Sequence, residues 1–61
     1  MKKERAKFLR IYSDIPDDLR SDIIVVMDGE TYTWNAAYLE VKKNSDLGHK
    51  ILKRLGQLGI I

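Results

Sequence analysis

The chain has 61 residues, of which 44% are hydrophobic and 33% charged, with no cysteine, one histidine and a net charge of +2. That length suits one domain over 1–61 with a thin core, because a chain of this size buries only about 60% of the surface its unfolded form exposes. The missing thiols and the single imidazole exclude disulfides and the usual zinc arrangements. Local propensity or self-association, as a homodimer, must then supply the stability, with no metal or cofactor expected.

The first predicted element is a helix from about Lys3 to Ser13, with Phe8, Ile11, Tyr12 and Ile15 recurring on one face. Its basic start resembles the head of an export signal, but Arg10 and Asp14 interrupt the apolar run such a signal needs. A cytoplasmic location is the expectation. The Ile15-Pro16 step ends the helix, since the residue before proline is pushed out of the α region. Pro16, Asp17 and Asp18 then read as the first turn of a short second helix, with Leu19 as its anchor.

Ile23 to Met27 is the clearest strand: apolar, mostly β-branched and far shorter than the roughly 18 residues of a membrane span. Asp28-Gly29 follows, a pair that tolerates the positive φ angles of a type I′ turn. Glu30 to Trp34 returns as an alternating second strand. Regular pairing would set Met27 opposite Glu30, Val25 opposite Tyr32 and Ile23 opposite Trp34. The core face would then be Ile23, Val25, Met27, Tyr32 and Trp34. Ile24 and Val26 would lie on the other face, which asks for a cover from a helix or another subunit.

Asn35 is the expected N-cap of a helix through Val41, with Ala37, Tyr38 and Val41 on one face and Asn44 as its left-handed stop. Ser45 caps the last helix, whose stripe is Leu47, Ile51, Leu55 and Leu58, supported by Leu52. Gly59 ends it in a Schellman turn, bringing Ile60 against Leu55. The predicted fold class is α+β: a short β-hairpin packed against three helices, in the order α, short helical turn, β-hairpin, α, α.

Little here can carry chemistry. Ser13 and Ser45 read as helix-end residues, His49 as a surface side chain, and Asp17 with Asp18 as complements to a helix dipole. Asp28-Gly29-Glu30 lacks the remaining ligand spacing of a calcium loop. No enzyme and no small-molecule substrate is therefore expected.

Two binding features stand out. Tyr32, Trp34 and Tyr38 place three large aromatics in seven residues, a core centre or a platform for a protein or for bases. The charge is also segregated: +4 over 1–10, −6 over 11–40 and +4 over 41–61. Lys3, Lys7 and Arg10 share one side of the first helix, and Lys50, Lys53 and Arg54 one side of the last. They form either solvated faces or a phosphate-binding surface, single if the two helices lie together. A helix-turn-helix over 35–58 is a poor fit, since no base-reading polar face follows its turn.

The expected function is a protein-interaction or regulatory module whose partner is another protein or its own copy, with Tyr32, Trp34, Tyr38, Ile24 and Val26 as contact candidates. The alternative is weak nucleic-acid binding through the basic faces.

Overall fold

A computed structural model describes residues 2–61, with the side chain of Lys2 left aside. The α+β fold and element order are as the sequence predicts. Helix α1 spans Lys2–Asp14, a 3₁₀ turn Asp17–Leu19, strand β1 Ile23–Met27, strand β2 Glu30–Thr33, helix α2 Trp34–Lys43 and helix α3 Asp46–Gln57. No helix among the described residues is long and apolar enough to cross a membrane.

The two strands pair antiparallel, and the turn joining them has φ of 53° at Asp28 and 78° at Gly29, as a type I′ turn requires. Met27 faces Glu30, Val26 faces Thr31 and Val25 faces Tyr32. The register then shifts, and Ile23 faces Thr33, not the expected Trp34. One extra residue, Ile24, sits in β1 at a bulge, and a bulge reverses the alternation beyond it. Ile23 therefore leaves the predicted core face and is 58% exposed, whereas Ile24 packs partly against the core. Val26 stays on the open face, 56% exposed.

Trp34 belongs to α2, not to β2, because Thr33 takes the capping role expected of Asn35. The Thr33 backbone is extended and its hydroxyl accepts a hydrogen bond from the Ala36 N–H at 3.1 Å. The Trp34 and Asn35 N–H groups donate to the carbonyls of Asp22 and Arg20, at 3.2 and 3.0 Å. All three N–H groups of the first turn are thus satisfied, two of them by the segment leading into β1. Thr33→Ala is expected to cost about 1 kcal/mol in urea denaturation, the usual worth of such a cap. An unchanged midpoint would show that the carbonyl contacts alone hold this helix start.

Other local expectations hold. Asn44 adopts the left-handed conformation, and the Ser45 hydroxyl accepts from the Gly48 N–H at 3.0 Å. Gly59, at φ 76°, closes a Schellman turn in which the Ile60 N–H donates to the Leu55 carbonyl and the Gly59 N–H to that of Gly56.

The core is Phe8, Val25, Ala37, Val41, Ile51, Leu52 and Leu55. The stripe of α3 is thus centred on Ile51, Leu52 and Leu55. Leu58, at the helix C-cap, is 52% exposed. Leu19 likewise fails as an anchor and is exposed. Its neighbour Arg20 ties down that turn: its guanidinium donates to Asp17 Oδ1 at 2.8 Å and to the Tyr12 carbonyl at 3.2 Å. The last turn of α1 contains no basic residue, so Arg20 supplies from outside the positive charge its carbonyl end favours.

A feature missed by the sequence reading is Gly48, buried inside α3. A Cβ there would lie 2.8 Å from the Glu40 carbonyl carbon and 3.1 Å from Val41 Cα. The absent side chain lets α2 and α3 approach backbone to backbone.

Candidate functional site

The aromatic candidates have their partners inside the molecule. The Trp34 ring lies 5.7 Å from that of Phe8, and Tyr38 stacks on Tyr12 at 4.2 Å with an interplanar angle of 3°. The Tyr12 hydroxyl donates to Asn35 Oδ1 at 2.7 Å, and the Arg20 guanidinium lies over the Tyr12 ring at 4.4 Å. Lys42 Nζ sits 5.7 Å from the Tyr38 ring centre, and Tyr32, opposite Val25, packs on the core. Phe8 is fully buried, and Tyr12, Tyr32, Trp34 and Tyr38 are each half-buried. Tyr12, which the sequence reading gave only to a helix face, is where α1, Arg20 and α2 meet.

The basic candidates of α3 line a groove. Lys50, Lys53 and Arg54, with Gln57, form one wall of a groove of about 380 Å³, and Val26, Met27 and Asp28 form the other. These α3 residues recur at the three- and four-residue spacing of one helix side, so a single stripe faces the end of β1. Lys3, Lys7 and Arg10 are exposed on α1 and do not line this groove. A second groove of about 540 Å³ runs between Glu4 and the end of α3. It shares Lys53 and Gln57 with the first, and its other lining residues are Leu52, Gly56 and Ile61.

Lys50, Lys53 and Arg54 have no ion-pair partner among the described residues. The cations that are paired lie elsewhere: Arg20 on Asp17, and Lys43 on Glu40 at 3.8 Å. Three cations against the single carboxylate of Asp28, beside apolar Val26 and Met27, leave the groove with a net positive charge that can hold an anionic group and an apolar side chain at once. The lining includes no serine, cysteine or histidine, the side chains that most often supply a nucleophile or general base.

His49 lies outside the groove, with Nε2 2.8 Å from Asn44 Oδ1 across the α2–α3 connection. Asp17 is held by Arg20, and Asp18 is exposed beside it. Among the described residues no cluster of His, Cys, Asp and Glu could hold a metal ion. No family model, curated protein or solved structure matches this chain, so its own geometry carries the functional argument.

Proposed function

We propose that this chain is a non-enzymatic protein-interaction module whose docking surface is the groove between the end of β1 and the outer stripe of α3. The observation that carries this reading is the meeting of exposed Val26 and half-buried Met27 with Lys50, Lys53 and Arg54, none of them neutralised by an ion pair. Apolar area supplies affinity on desolvation, and fixed charge of one sign selects the partner. A partner segment that is acidic and partly apolar complements both.

Nucleic acid is the competing reading, and the same three cations favour it. Three phosphate contacts give weak binding that falls steeply with salt. The aromatic rings suited to base stacking, Trp34, Tyr12 and Tyr38, are engaged with Phe8 and with one another elsewhere. Apolar Val26 and Met27 on the groove wall have no counterpart in a phosphate backbone, so the protein reading is the better supported.

The test is selection from a displayed random-peptide library on the immobilised protein. Selected sequences should be rich in Asp and Glu with interspersed apolar residues. They should lose at least about tenfold in affinity, or about 1.4 kcal/mol, on Val26→Asp or on the combined K50E, K53E and R54E protein. Both variants change exposed side chains, so their circular dichroism should match the parent. Selection of nothing above background, or equal binding to both variants, would sink the proposal. Tighter retention of duplex DNA or single-stranded RNA at physiological salt would put nucleic acid in its place.

A further inference from the structure

The backbone around Val26 narrows what the groove can hold. Val26 and Met27 are adjacent in a strand, so their side chains point to opposite faces of the hairpin. A groove lined by both must run along the edge of β1. The other edge is occupied by β2, so this is the free one.

The register fixes what that edge presents. In a two-residue hairpin the pairs Met27–Glu30 and Val25–Tyr32 exchange backbone hydrogen bonds, and the intervening pair Val26–Thr31 does not. The Val26 N–H and C=O therefore point away from β2, into the groove. The bulge at Ile24 ends the regular edge on one side and the turn ends it on the other. From Val25 to Asp28 the edge measures about 10 Å. Along α3, Lys50 to Gln57 covers about 10 Å. The two walls match in length.

We infer that the groove takes an extended acidic peptide, which adds to the free edge of β1 as a third strand and turns its carboxylates toward Lys50, Lys53 and Arg54. This rests on the docking reading above and specifies its occupant. Side chains of an added strand alternate between faces. Those turned to the helix side meet the three cations, and those turned to the open side extend the apolar surface of Val26. An alternating acidic and apolar segment satisfies both walls, with main-chain bonds to Val26 supplying a contact independent of side-chain sequence. A basic stripe along an edge also discourages pairing between copies, because each copy brings like charge to the contact.

The probes are three end-capped octapeptides: alternating Glu and Val, alternating Lys and Val, and a Glu–Val analogue N-methylated along one edge. Binding is read from amide shifts in α3 and from hydrogen exchange at the Val26 amide. The Glu–Val peptide should shift Lys50 and Lys53 and slow Val26 exchange at least about tenfold at saturation. The N-methylated and Lys–Val peptides should bind at least about tenfold more weakly. The combined K50E, K53E and R54E protein should prefer Lys–Val.

If Glu–Val shifts α3 but Val26 exchange is unchanged and the N-methylated peptide binds equally, strand addition is wrong while the docking surface stands. If no peptide shifts either wall, both fail. Concentration-dependent protection of Val26 in peptide-free protein, with a dimer in sedimentation, would assign the edge to a second copy and overturn the inference. Shifts produced only by oligonucleotide would overturn it in favour of nucleic acid.

Discussion

Replacing Gly48 by alanine is expected to destabilise the protein by about 2 kcal/mol or more, although alanine is the better helix former by about 1 kcal/mol. The new Cβ would meet the Glu40 carbonyl carbon at 2.8 Å and Val41 Cα at 3.1 Å, so helix backbone would have to move. α2 and α3 pack more extensively than the other helix pairs, and parting them loosens Val41, Ile51 and Leu52 together. Gly56, in the same helix, gives the control. Nothing lies within 4 Å of a Cβ placed there, so Gly56→Ala should stabilise by about 0.5–1 kcal/mol. Urea denaturation of the two variants should therefore move the midpoint in opposite directions. A stabilised Gly48→Ala would mean the helix contact is looser in solution than in this structure.

Phe8→Ala should have the largest effect of any single core truncation. Phe8 is the one fully buried side chain that α1 contributes among the described residues, and its ring packs against those of Trp34 and Tyr12 at 5.7 and 6.3 Å. Removing a buried phenylalanine ring costs about 3–5 kcal/mol. A chain this short has a total stability of about 3–9 kcal/mol, so most of it would be spent on one cavity. Circular dichroism and Trp34 fluorescence should show a largely unfolded variant at 25 °C or a greatly lowered melting temperature. Phe8→Leu, which keeps most of the volume, should cost about 1–2 kcal/mol and still melt cooperatively. If Phe8→Ala melted within a few degrees of the parent, α1 would be dispensable to the core.

Both sites lie away from the β1–α3 groove, so loss of stability and loss of binding can be separated. Val26 and the three groove cations are exposed and should alter binding with little change in folding. Gly48 and Phe8 should do the reverse. A domain with so little stability to spare gains from this division, because the residues that select a partner are not the ones that hold the core.

Much of the candidate site was legible before the fold was known. Lys50, Lys53 and Arg54 were marked by their spacing on one helix side, and Val26 by its place on an apolar strand face with nothing predicted to cover it. Met27, Asp28 and Gln57 were not, since their part in the groove depends on where α3 crosses the end of β1. Ile24 was paired with Val26 on the open face, but the bulge turns it toward the core and brings Ile23 out. Lys3, Lys7 and Arg10 were joined to the α3 cations on the premise of one basic face, and the groove takes only those of α3.

The sequence by itself determined the elements whose signals act within a few residues. The Asp28-Gly29 turn, the Asn44 stop, the Ser45 cap and the Gly59 Schellman turn are all closed by hydrogen bonds or φ preferences within one turn of chain. Tertiary structure decided what depends on distant partners. Thr33 displaced Asn35 as a cap because Asp22 and Arg20 offer carbonyls to the next two N–H groups. The bulge at Ile24 sets that side chain against a core built mostly from the helices, and the need for glycine at 48 exists only once α2 lies against it. Local backbone chemistry is written in neighbouring residues; close packing and the meeting of charges with a strand edge arise only when remote segments share the same space.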